Sequence, residues 1–132
     1  MAQGFLHTKV ANEADMSPIH GARVVVRDLA DNILFDTSTD ERGQSPIMTL
    51  AAPDAALTLD PNFRGRPYAQ YIMEVSKYGF HSMIIRYIEV LSGQTSIQPV
   101  MIHRASPEEI AQGITIQHII ETGSRQTPGA VG

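Results

Sequence analysis

A chain of 132 residues with 42% apolar content is long enough to bury a core of its own and too apolar for a disordered segment, so one folded domain is expected. Its formal net charge of -4 excludes the basic surface that nucleic-acid binding requires, and the lack of cysteine excludes disulfides, thiol catalysis and cysteine-ligated zinc. No apolar run approaches the roughly 20 residues of a membrane span. Residues 1–5 lack the charged-then-apolar pattern of a Sec-type signal peptide, which leaves the compartment open: a spore or cell surface would be reached by another route.

Residues 4–10 alternate, with Leu6, Thr8 and Val10 on one face and Phe5, His7 and Lys9 on the other, which predicts a strand. The polar stretch 11–20, with Pro18, reads as a loop. Residues 21–28 predict a half-buried strand, with Ala22, Val24 and Val26 opposite Arg23, Val25 and Arg27. Ala30, Asp31 and Asn32 mark a turn into a short strand at 33–37. A second turn at 39–43 has Gly43 available for positive φ, and a strand at 45–50 follows. Residues 51–67 have no period and carry Pro53, Pro61, Gly65 and Pro67; a loop of that length is uncommon in a compact domain. A strand at 68–76 puts Tyr71, Met73 and Val75 on one face. The chain then turns at Lys77, Tyr78, Gly79 and Phe80, and strands at 81–91 and 95–103 complete the set. Seven short strands between turn residues predict an all-β antiparallel sandwich.

Two features exceed what seven strands require. The strand at 81–91 is apolar on both faces, with Ile84, Ile88 and Val90 on one and Met83, Ile85 and Tyr87 on the other. A one-sided strand alternates with polar residues, so the second face must be covered or form an interaction patch. Beyond it, Ser106, Pro107 and Glu109 form a capping box that starts one or two helical turns ending at Gly113. Residues 114–121 then predict an extra strand, with Ile114, Ile116 and Ile120 sharing a face with His118. The chain thus divides into a sandwich, 1–104, and an extension, 105–132, of short helix, extra strand and flexible tail. The extra strand can pair with its own sandwich, pair with a neighbouring subunit, or lead to something else.

Three segments together resemble the carboxypeptidase regulatory-like domain, a seven-stranded sandwich of the transthyretin-like (prealbumin-like) type. They are the opening Pro18, Gly21, Ala22, Val24 and Val26; the turn Thr39, Asp40 and Gly43; and the turn Val75, Gly79 and Phe80. Leu59 to Asn62 with Arg66, Pro67 and Tyr68 resemble a subgroup from spore-forming Firmicutes. The resemblance implies structural spacers, assembly modules or peptidase accessories with no chemistry of their own. It does not by itself settle function.

The residues that carry chemistry elsewhere are scattered here. His7, His20, His81, His103 and His118 have no metal-site spacing. Asp28, Asp31, Asp36, Asp40 and Glu41 cluster at the ends of the second and third strands, where turn-forming hydrogen bonds explain them better than calcium. No G-x-S-x-G occurs. The transthyretin-like fold also hosts 5-hydroxyisourate hydrolase, and that resemblance would ask for a first-strand histidine, a central arginine and a Tyr-Arg-Gly-Ser ending. His7 with Arg23 or Arg66 meets the first two, but the tetrapeptide is absent. Phe63, Tyr68 and Tyr71 could form a carbohydrate platform, but anchoring roles are the plainer expectation.

The leading expectation is a non-enzymatic structural protein that binds copies of itself, as in a filament or surface assembly, through Met83, Ile85, Tyr87, Ile114, Ile116, His118 and Ile120. The alternative is a cell-wall or peptidase-associated module using Phe63, Arg66 and Tyr68. No catalytic, cofactor or metal residues are expected, and no nucleic-acid partner.

Overall fold

A computed structural model describes residues 2–54 and 68–122. The expectations for Phe63, Arg66 and the flexible tail lie outside the described residues. The described elements are β1 (Ala2–Asn12), β2 (Arg23–Arg27), β3 (Ile33–Ser38), β4 (Met48–Ala52), β5 (Tyr68–Ser76), β6 (Ser82–Leu91), β7 (Thr95–Ile102), α1 (Pro107–Ala111) and β8 (Gln117–Glu121). They form two sheets, ordered β4-β1-β7 and β3-β2-β5-β6-β8. The expected all-β sandwich is present, but not wholly antiparallel. The β1–β7 and β6–β8 ladders are parallel, whereas the other four are antiparallel. Hydrophobic alternation reports a strand's faces and carries no information about its partner's direction.

The core lies between the sheets. Leu6 and Val10 of β1 meet Val24 and Val26 of β2, Met73 and Val75 of β5, and Ile102 of β7, all buried. Val25 points to the outer face yet is also buried. It lies beside Asp36 and Glu74 in the ladders, where Arg23 pairs with Asp36 at 2.7 Å and Arg27 with Glu74 at 2.9 Å. Arg23 and Arg27, two positions to either side of Val25, share that outer face with it.

The turns behave as their residues dictate. Asp40 accepts hydrogen bonds from the Arg42 and Gln44 N–H groups, and Gly43 supplies a φ of 74°. Asp28 accepts from the Ala30 and Asn32 N–H groups in the same way. These bonds, led by those from Asn32 to Asp28 and from Gln44 to Asp40, hold both carboxyls below their ordinary range, as the Arg23 hydrogen bond does for Asp36. Turns thereby account for Asp28 and Asp40, and ion pairs with Arg23 and Arg27 account for Asp36 and Asp31. Tyr71 is a core anchor, buried, with its hydroxyl donating to the Ala51 carbonyl, so it offers no platform for a sugar.

The doubly apolar strand has a structural explanation that alternation missed. In β6, Tyr71 faces Ile88 while Met73 faces Ile85, so Arg86 and Tyr87 together oppose Ile72. This β-bulge, with Tyr87 at φ 63°, reverses the phase of the strand. Met83 and Ile85 before the bulge, and Ile88 and Val90 after it, all lean into the core. The expected division into Ile84, Ile88 and Val90 against Met83, Ile85 and Tyr87 is therefore corrected. Ile85, 2% exposed, belongs to the core and is not available as an association surface.

Candidate functional site

The extension folds back on its own sandwich. Ser106 caps α1: its Oγ accepts from the Glu109 N–H at 3.1 Å, and its own N–H donates to Glu109 Oε1 at 2.7 Å. Gln112 is the C-cap and Gly113, at φ 67°, ends the helix. The following strand is shorter than expected, because residues 114–116 form the crossing and only Gln117–Glu121 enter the ladder with β6. Among its possible partners, β8 lies on the β6 edge of its own chain.

That ladder places Met83 opposite His118 and Ile85 opposite Ile120. Residues directly opposite share a face, so His118 and Ile120 lie on the inner side of the sheet. Among the described residues, no strand of the three-stranded sheet lies beyond β7 to cover them. All five residues of β8 are exposed, Ile119 at 54% and Ile120 at 46%. The expected association set is thus partly assembled. Met83, His118 and Ile120 form one row; Tyr87 lies at the bulge, half-buried; Ile116 is half-buried with its carbonyl accepting from the Ser82 N–H; and Ile114 is exposed. Ile114 lines a groove of about 510 Å³ with Ile110, Phe80, Tyr78, Lys77 and Arg23.

Sequence spacing did not reveal that three histidines meet at this edge. The Phe80–Arg104 bridge sets the starts of β6 and the end of β7 side by side, and the His81 N–H donates to the His103 carbonyl at 2.7 Å. The His81 ring lies 5.0 Å from His103 and 5.2 Å from His118, centroid to centroid. His81 is 9% exposed and has a partner on each side: Nε2 is 3.2 Å from Glu109 Oε1, and Nδ1 is 3.0 Å from His118 Nε2. His103 Nδ1 lies 3.4 Å from Glu13 Oε2. The Ser106 backbone N–H and then His81 hold the Glu109 carboxyl down at about 2, so it is ionised at neutral pH. An ionised Glu109 assigns the hydrogen on His81 Nε2 as the donor to it, and one further hydrogen is shared between His81 Nδ1 and His118 Nε2. The chain Glu109–His81–His118 thus ties helix, sandwich and extra strand together. The sequence marks Glu109 only as a cap and His118 only as a member of an amphipathic strand. Among the described residues, no three His, Asp or Glu side chains are arranged to hold a metal ion.

The hydrolase-like constellation does not assemble from His7 and Arg23. Leu6, Thr8 and Val10 are buried on β1, so His7 projects from the outer face of its sheet. Val24 and Val26 are likewise buried on β2, so Arg23 projects from the outer face of the other sheet, held by Asp36. The two side chains point away from each other across the sandwich. Tyr68 is half-buried at the start of β5.

No protein-family profile matches the chain, and no curated protein does. Solved structures are similar in shape. The Bacillus anthracis TIE protein superposes with a TM-score of 0.57 at 16% identity, covering 79% of this chain and 18% of that one. The Klebsiella pneumoniae 5-hydroxyisourate hydrolase gives 0.52 at 14% identity, over 78% of this chain and 92% of that one. BcpA, the major pilin subunit of Bacillus cereus, gives 0.52 at 13% identity, over 79% and 31%. The fold is a transthyretin-like sandwich. It is shared by pilin subunits and by enzymes, and this chain spans a small part of the TIE protein and of the pilin.

Proposed function

We propose that the chain is a non-enzymatic structural module of the carboxypeptidase regulatory-like kind, a subunit that associates with copies of itself in a filament or surface assembly through its C-terminal edge. The observation that carries this reading is β8 itself: an extra strand, exposed along its whole length, with isoleucines on both faces, which forms the edge of the five-stranded sheet among the described residues. An open strand of this kind is a template for another chain. The likeness to the BcpA pilin supports an assembly role at the level of fold. Sedimentation of the full chain over a concentration series, with electron micrographs of the same samples, tests the proposal. Concentration-dependent growth that is lost when residues 105–132 are deleted is expected. A monomer at every concentration would overturn it.

A further inference from the structure

Two kinds of contact hold β8 against β6. One is the backbone ladder, in which the Ser82 N–H donates to the Ile116 carbonyl and the Thr122 N–H to the Arg86 carbonyl, each at 2.9 Å. These groups do not ionise near neutral pH. All five residues of β8 are exposed, so little buried apolar surface backs the ladder. The other contact is the imidazole pair. His81 Nδ1 and His118 Nε2 are 3.0 Å apart, while the ring centroids are 5.2 Å apart and the planes 29° from parallel. A centroid separation so much larger than the nitrogen gap means that the rings meet nitrogen to nitrogen, with one hydrogen between them.

The hydrogens decide how much charge this contact tolerates. The ionised Glu109 keeps one hydrogen on His81 Nε2, 3.2 Å from its carboxylate. In the neutral pair the hydrogen between the rings belongs to His118 Nε2, and His81 Nδ1 accepts it. A first added proton goes to His118 Nδ1, and the contact becomes charge-assisted, with Glu109 balancing the charge. A second added proton has its place only between the rings. The two N–H groups then point at each other across 3.0 Å, no acceptor is left, and two cations share one carboxylate. Among the described residues, the other charged groups near the pair do not supply a second carboxylate to it. His103, at the end of β7, has its ring 5.0 Å from His81 and its Nδ1 3.4 Å from Glu13 Oε2. Its protonation adds a like charge beside His81 and works in the same direction. Arg104 lies over the Phe80 ring, 5.2 Å from the centroid. On β6 the residue opposite His118 is the uncharged Met83. Glu121 is three positions from His118 on β8 and so on the other face.

We infer that the His81–His118 contact is an acid-released clasp: it docks β8 on β6 while the pair carries no more than one positive charge, and a second proton frees Gln117–Glu121 from the sheet. Release uncovers the part of β6 that β8 occupies, from Ser82 to Arg86. Imidazole is the side chain whose charge changes between about pH 5 and 8, so the trigger is mild acid. Glu109, held at about 2, keeps its charge throughout that range. The released form binds one proton more than the docked form, so its share rises as the pH falls, by at most about tenfold per pH unit. The clasp works within one chain. It goes beyond the self-associating reading above and does not depend on it.

Amide hydrogen exchange of the full chain, followed from about pH 8 down to about pH 4.5, tests the clasp across the imidazole range. Dividing each rate by that of an unstructured chain at the same pH leaves the opening constant of β8. For Ile120 and Thr122 this constant is expected to rise as the pH falls, approaching about tenfold per unit, while the β2 and β5 amides hold steady. His118→Gln keeps a neutral donor and acceptor but takes up no proton, so its opening constant is expected to stay flat over the same range. His103→Gln is expected to retain the rise. Nitrogen-15 spectra of the imidazoles count the protons, and the rise is expected to accompany the second protonation of the pair. A flat profile in the unaltered chain would overturn the inference, as would an equal rise in His118→Gln. So would a rise that coincides with the first protonation, or one that vanishes in His103→Gln, since the trigger would then lie outside the pair. None of these readouts depends on whether copies associate, so their failure leaves the proposed function standing.

Discussion

His118→Ala isolates what the histidine contact contributes to holding β8. The side chain is exposed, so its loss removes little apolar burial. What disappears is the 3.0 Å contact with His81 Nδ1, a side-chain hydrogen bond that joins β8 to the sandwich core edge. A neutral side-chain hydrogen bond contributes a net ~1 kcal/mol, which raises the opening constant of β8 about fivefold. The backbone ladder remains, including the Thr122 N–H to the Arg86 carbonyl at 2.9 Å. Amide hydrogen exchange reads this locally, because edge elements open below the global unfolding energy. Exchange at Ile120 and Thr122, whose N–H groups face β6, is expected to quicken about fivefold, with the β2 and β5 amides unchanged. Unchanged exchange at Ile120 and Thr122 would show that the imidazole pair does not hold the strand. Equal acceleration in β2 and β5 would show that β8 opens only with the whole sandwich.

Two more predictions follow from the same geometry. The Glu109 carboxyl titrates at about 2 in the folded chain against an ordinary 4.5, so its stabilising contribution is complete above about pH 4.5 and is lost as the pH falls towards 2. Glu109→Gln should flatten the acid limb of stability in that window, measured by urea midpoints against pH; an unaltered limb would refute the tie to Ser106 and His81. The bulge predicts that Ile85→Ala and Ile88→Ala each cost about 2–5 kcal/mol in denaturant unfolding, because both side chains enter the core. If strict alternation held instead, one of the two would be nearly neutral.

The candidate site shows how far local signals reach. The capping box at Ser106 and Glu109 was legible because its two bonds join residues three apart. The second role of Glu109 was not, because His81 lies 28 positions away and reaches it only after β6, β7 and α1 have packed. His118 was singled out for its place on an amphipathic strand, and its bond to His81 spans 37 positions. No spacing rule covers such separations, because the meeting is set by which strands pair and in what register.

What the sequence determined by itself is everything that depends on a few neighbouring residues. The alternation at Tyr68–Ser76 named β5 with its observed bounds, and Asp40 with Gly43 defined a turn through short-range bonds and one positive φ. The tertiary structure decided the rest. It ran β7 parallel to β1 and β8 parallel to β6, directions that no single strand encodes. It also inserted one extra residue at Tyr87, so that Ile85 and Ile88, an odd number of positions apart, face the same core. Periodicity is a property of one strand, but the side that is buried is a property of the pair, and pairing is paid for only when distant segments meet.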